Sequence, residues 1–320
     1  MHNFWAKKQP LNYLLLPLSL LYYAVAKLKA SYTKKTKLPA TLITVGNLTA
    51  GGAGKTPTAI ALAGLLKKHD FVFLTRGYKG SITKPTLLNK THNFLECGDE
   101  ALLLAEHGRV IVAKRRSKSY DLVKSLKAKL VILDDGLQNN YLQHDIKILV
   151  IDADYKFGNG LLLPAGPLRQ NLADISDSLD LLVVIGKQSQ LDFLPHDLHA
   201  KTYLANYVPV KQQKINKQKN YMAFSGLARN EKFFKQLSED GFSLAATKSF
   251  IDHHKYSEVD FINLITSAKE QDAQLITTSK DYVKIPKKYR SAILEYKIEL
   301  QFDEPQKFLK SLEKLINEKT

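Results

Sequence analysis

The run Thr49-Ala50-Gly51-Gly52-Ala53-Gly54-Lys55-Thr56 has the composition of a phosphate cradle. Glycines let successive backbone N–H groups turn toward one point, and a helix beginning just after them adds its positive end. In such a loop Lys55 reaches the β- and γ-phosphates of a nucleotide, and the Thr56 hydroxyl ligates Mg²⁺. Thr49, Gly51, Gly52, Ala53, Gly54, Lys55 and Thr56 are therefore the candidate nucleotide contacts. The usual motif opens on glycine, and Thr49 stands in that place; a glycine-rich turn with an incidental lysine is the plain alternative.

Asp134-Asp135-Gly136 closes the apolar run at 130–133. A carboxylate at the end of a strand beside such a loop can hold Mg²⁺ opposite the threonine. On its own, the same pair makes a turn or a helix cap. Asp99, in Gly98-Asp99-Glu100, precedes the apolar stretch 101–105, where capping alone favours an acidic residue; a catalytic carboxylate is the second reading. Asp252-His253-His254 suits either metal binding or an acid–base pair, and equally a polar loop. Arg76, Arg115, Arg116 and Arg169 lie in basic or Gly/Pro-rich segments. A guanidinium there can grip phosphate bidentately, although most arginines are simply solvated.

The elements that must position these groups are α/β in character. Residues 42–45, 71–74, 109–113, 130–133, 146–151 and 181–185 are short apolar runs without alternation. That pattern suits a parallel sheet covered on both faces. Residues 58–66 and 117–127 read as helices. The chain turns Lys/Gln-rich over 201–219, which predicts a linker. Beyond it, strands at 221–224, 243–248 and 274–278 and helices at 231–239 and 257–270 make a second, smaller α/β unit. The expected organisation is a membrane-associated helix at 1–30, a P-loop NTPase-like domain at 31–200, a linker at 201–219, and a closing α/β domain at 220–320.

The chain has 320 residues, 44% hydrophobic, so it can bury a core and wholesale disorder is excluded. Its single cysteine, Cys97, can form neither an internal disulfide nor a zinc site alone, which points to a reducing compartment. A formal charge of +16 suggests acidic partners, whether phosphorylated substrate, anionic lipid or nucleic acid. No aromatic-basic recognition module accompanies it, so nucleic acid is not expected. Residues 11–26 are uncharged and apolar but short of the roughly 20 needed to span a bilayer. Lys27, Lys29, Lys34, Lys35 and Lys37 follow, and an apolar run beside a basic cluster predicts anchoring to one anionic leaflet. A helix packed on the first domain is one alternative, and a true span or signal segment is the other.

In order along the chain, residues 45–57, Thr75-Arg76-Gly77-Tyr78, Gly98-Asp99-Glu100, Asp134-Asp135-Gly136-Leu137-Gln138, Gly158-Asn159-Gly160, residues 163–169, Asp252-His253-His254 and Thr278-Ser279-Lys280-Asp281 are similar to the motifs of tetraacyldisaccharide 4'-kinases. The resemblance spans nearly the whole chain, and Thr49 in the loop is typical of that family. It implies two α/β/α domains around a cleft, and ATP- and Mg²⁺-dependent phosphorylation of a tetraacyl disaccharide 1-phosphate, a lipid A precursor, at the cytoplasmic face of the bacterial inner membrane. No obligate protein partner is implied. It also implies roles: Lys55 and Thr56 on nucleotide and metal, Asp134 and Asp135 on Mg²⁺, and Asp99 as base, supported by His253, which Asp252 orients. Arg116, favoured over Arg115 by the family pattern, and Arg169 would stabilise phosphoryl charge or grip substrate phosphate. The family commonly has histidine and glutamate where this chain has Asn139 and Gln170. A membrane-associated ATPase switch shares the loop and the terminus but has no use for Asp99 or Asp252-His253.

Overall fold

The computed structural model describes residues 2–210 and 215–319. Eight strands precede the gap: β1 (Thr41–Gly46), β2 (Phe71–Thr75), β3 (Thr86–Leu87), β4 (Val110–Val112), β5 (Leu130–Asp134), β6 (Ile146–Asp152), β7 (Leu181–Ile185) and β8 (Thr202–Pro209). After it come β9 (Asn220–Ser225), β10 (Ser243–Ser249), β11 (Gln274–Thr278), β12 (Ile293–Tyr296) and β13 (Ile298–Phe302). The large sheet runs β13-β8-β7-β6-β1-β5-β2-β4-β3, and the small one β10-β9-β11-β12. Pairing is parallel except at the two margins of the large sheet, where β13–β8 and β4–β3 are antiparallel.

The central strands β1, β5 and β7 are buried at every residue, the outcome expected for continuous apolar runs covered on both faces. On one face Ile43, Ile132 and Ile148 pack with Leu62, which follows the glycine loop, and with Phe308 and Leu312 of the last helix. On the other, Leu42, Val131 and Leu133 pack with Val123. Each face of the small sheet has its own helix, through Phe261 and Leu264 on one side and Phe233 and Leu237 on the other.

Two domain boundaries differ from the expectation. Residues 202–209 of the expected linker form an eight-residue strand in the large sheet. The segment Tyr203-Leu204-Ala205-Asn206-Tyr207-Val208 has β-forming residues, and the Lys/Gln-rich character begins only at Lys211; residues 211–214 lie outside the described ones. The end of the chain also leaves the second unit. β13 pairs with β8, and the helix Pro305–Lys319 packs on the first domain, with Phe308 stacked on Phe302 at 4.1 Å. That return is a long-range pairing, which no local period announces.

The amino-terminal segment forms short helices at His2–Ala6 and Pro10–Leu14 and a longer one at Leu16–Tyr32. Its polarity is inverted relative to an ordinary surface helix. The buried positions are polar: Asn12 donates to Ala165 O at 2.8 Å, and Ser19 Oγ donates to Leu162 O at 2.9 Å. The exposed ones are apolar, with Leu14 74%, Leu20 67% and Leu21 61% accessible. No helix among the described residues is long and apolar enough to cross a membrane.

Candidate active site

β1 ends in the centre of the sheet, between β5 and β6, and the glycine loop leaves its carboxyl end, where open α/β sheets bind ligands. Gly51 and Gly54 have φ of 112° and 81°, conformations open to glycine. A Cβ on Gly54 would come within 2.2 Å of Ile185 Cδ1, whereas one on Gly52 would meet nothing within 4 Å. Gly54 caps the helix Lys55–Leu65, so the loop delivers its N–H groups at a helix amino terminus. The front of the loop is pinned to the 163–169 segment: Ala50 N donates to Pro167 O at 2.7 Å and Arg169 N to Leu48 O at 2.7 Å. Those backbone bonds place Arg169 beside the loop. They also explain Thr49, which is buried and bridged to Leu168 where the usual motif has glycine.

Asp134 ends β5, next to β1, and its Oδ2 accepts the Thr56 hydroxyl at 2.9 Å. Its Oδ1 is buried without a hydrogen-bond partner. Complete burial, aided by Glu100 and Asp135, pushes this carboxyl up to about 7. Asp135 differs. Both its oxygens accept from Arg169 Nη1, at 3.1 and 3.2 Å, and Lys55 Nζ stands 3.8 Å away. Burial raises its carboxyl, but Lys55, Arg169 and Arg116 outweigh it and hold it below the usual range. Arg116 donates to the Asp135 carbonyl at 2.8 Å.

The second unit contributes the other half. His253 sits in a loop at φ 56°, its N–H bonded to Gly226 O. Its Nδ1 lies 3.0 and 2.9 Å from the two oxygens of Asp99, at the start of the helix Asp99–Ala105. Asp99 is only 4% exposed. Burial raises its carboxyl, but the hydrogen bond from His253 and the charges of Lys280 and Lys284 hold it below the ordinary value. Glu100 ties the two clusters together, acting on Asp134 and lying 3.8 Å from Lys280.

Asp252 does not orient the imidazole as expected. Its Oδ1 is 3.8 Å from His253 Nε2, beyond hydrogen-bond reach. Lys280 stands there instead, 3.1 Å from Nε2 and 3.4 Å from Asp252 Oδ1. Sequence reasoning also missed Arg229, which donates to Gly52 O at 3.1 Å and pairs with Asp152. The signal was available for Asp152 alone, an aspartate closing an apolar strand beside β1. Asn139 serves the loop rather than chemistry: its Oδ1 accepts from Tyr141 N and its carbonyl meets His144 Nε2 at 2.8 Å. Gln170 Oε1 accepts from Gln138.

A glycine loop at the carboxyl end of a central parallel strand, facing a buried carboxylate on the neighbouring strand, defines a nucleotide-binding protein of the P-loop class. The family model for tetraacyldisaccharide-1-P 4'-kinase matches residues 11–317. The chain is 42% identical over 287 residues to the tetraacyldisaccharide 4'-kinase of Rickettsia typhi, covering 88% of each. It is 41% identical over 285 residues to that of Rickettsia africae, again covering 88% of each. A solved structure of LpxK from Aquifex aeolicus in complex with ATP superimposes with a TM-score of 0.78 at 28% identity, covering 96% of this chain and 99% of that one. The chain belongs to the tetraacyldisaccharide 4'-kinase family.

Proposed function

We propose that this kinase transfers the γ-phosphoryl group of ATP to the 4'-hydroxyl of a tetraacyl disaccharide 1-phosphate at an anionic membrane surface, the cytoplasmic face of the inner membrane. The observation that carries the reading is the Asp99–His253 pair: a buried, ionised carboxylate held by a residue of the other unit and adjacent in the chain to Glu100, which acts on Asp134. An ATPase switch needs no such base.

The hydroxyl passes its proton to Asp99 as its oxygen bonds to the γ-phosphorus, and the bond from that phosphorus to the departing ADP oxygen breaks. Lys55 and the loop N–H groups hold the β- and γ-phosphates, while Arg116 and Arg169 bring positive charge to the transferred group. Positioning and charge neutralisation carry most of the barrier lowering in phosphoryl transfer. The donor set fits Mg²⁺: Thr56 Oγ1 and the unpartnered Oδ1 of Asp134 are hard oxygen ligands in a site walled by protein. When bound, the cation neutralises phosphate charge. Asp135, both of whose oxygens accept from Arg169, organises the site through that guanidinium and Lys55.

The inverted amino-terminal helix supports membrane contact. Its leucines face outward, and its polar side chains dock on the 162–174 segment, where Tyr22 OH donates to the Arg169 carbonyl at 3.1 Å and Lys27 pairs with Asp174 at 2.7 Å. An acylated, phosphorylated substrate stays at the bilayer surface, and an apolar face with a basic flank keeps the enzyme there. The test is the product. Phosphorus NMR of the lipid formed with ATP and Mg²⁺ is expected to show a new monoester on the 4'-oxygen; a diphosphate at the 1-position would overturn the assignment.

A further inference from the structure

We propose that Lys280 is a positioning residue that fixes the tautomer of His253, an inference that rests on Asp99 being the base. Lys280 lies in a short helix, Ser279–Tyr282, held by Asp281, which accepts from Thr278 Oγ1 at 2.9 Å and Gly226 N at 3.0 Å. Its Nζ is 3.1 Å from His253 Nε2. An ammonium has three donors and no acceptor, so the nitrogen facing it must present a lone pair. The imidazole is therefore neutral, with its proton on Nδ1 and donated to Asp99.

The surroundings keep the lysine charged. Burial opposes its charge, but Glu100, Asp99, Asp252 and Asp281 outweigh burial and raise the ammonium above its ordinary value. The groups around His253 are Asp99 and Glu100 from the first domain, Asp252 and Lys255 on its own loop, Lys280 and Lys284 from the second unit, and Tyr78 edge-on at 5.0 Å. Lys79, next to Tyr78, donates to the Asp252 carbonyl. During transfer the 4'-hydroxyl proton goes to Asp99, the new O–P bond forms as the bond to ADP breaks, and His253 keeps its Nδ1 proton throughout. Without Lys280, Nε2 is free to take a proton, and an imidazolium paired to Asp99 leaves a weaker base.

The direct test is nitrogen NMR of the full chain in detergent with ¹⁵N-histidine, the His253 signals being assigned by their loss in His253→Gln. Nδ1 is expected to be protonated and Nε2 bare under the conditions of the kinase assay; a proton on Nε2 under those conditions would overturn the proposal, whatever happens to any lysine variant. Kinetically, Lys280→Met is expected to lose about tenfold or more in kcat, with its acid limb moved up by about one pH unit and both KM values within about twofold. Lys280→Arg keeps most of the activity. A wild-type pH profile in Lys280→Met contradicts the proposal. Asp99→Asn separates the two ideas: if it stays active the base assignment fails, and if it is inactive while Lys280→Met behaves as wild type, only the tautomer inference fails.

Discussion

Asp99 and Asp134 are both buried aspartates, yet their surroundings divide the work between them. Asp99 is kept ionised by His253 and the lysines of the second unit, as a proton acceptor must be. Asp134 has an oxygen without a protein partner and a carboxyl pushed up to about 7, the surroundings that support the cation-ligand role proposed for it. Replacing Asp99 with asparagine keeps the shape and removes the basicity; kcat is expected to fall by about 10²–10³ with nucleotide affinity unchanged, as read by equilibrium titration. A second prediction concerns His144, whose Nδ1 faces the Thr44 hydroxyl at 2.6 Å and whose Nε2 faces Asn139 O. Burial, against the Asn139 hydrogen bond, lowers it to about 4. The folded form thus binds fewer protons than the unfolded chain, so stability is full above about 6.5 and is lost as pH falls toward about 4, by up to about 1.4 kcal/mol per pH unit. Denaturant titrations across this window should show that slope in the native chain and a flatter one in His144→Gln.

At the scale of elements, the phosphate loop depends on one glycine more than another. Gly54→Ala combines a φ of 81° with a clash against Ile185, so nucleotide affinity is expected to drop at least about tenfold; Gly52→Ala, which meets open space, should bind within about threefold of wild type. Equal losses in the two variants would contradict this account of the loop. The glycine loop, the Asp134-Asp135 pair and the parallel strands were legible because each is a local pattern: a run of glycines, or apolar residues ended by carboxylates. β8 was hidden by its neighbours, since the basic tract just beyond it dominated the composition of the segment. β13 and the last helix were hidden because membership of a sheet depends on a partner 97 residues away, Phe302 opposite Ala205. The Lys280–His253 contact was unreadable for the same reason: the motif holding Lys280 was visible, but its direction is set by the packing of the second unit.

For the molecule as a whole, the two units meet over chemistry and the amino-terminal helix turns outward. Asp99 from one unit and His253 from the other form a single pair, so the proposed base is complete only when the units are together. The helix carries its polar contacts inward to the segment holding Arg169 and its leucines outward. Changing Leu14, Leu20 and Leu21 together to serine leaves those inward contacts in place and is expected to weaken binding to anionic vesicles at least about tenfold, with activity on detergent-dispersed lipid within about twofold. Undiminished vesicle binding would show that this face is not what meets the membrane. The most direct measurement of the central claim follows labelled γ-phosphate from ATP into tetraacyl disaccharide 1-phosphate with Mg²⁺, in the native chain and in Asp99→Asn side by side. The account predicts a labelled lipid from the native chain and almost none from the variant, although both bind ATP. Nucleotide hydrolysis without labelled lipid, or lipid labelling at the native rate in Asp99→Asn, would contradict it.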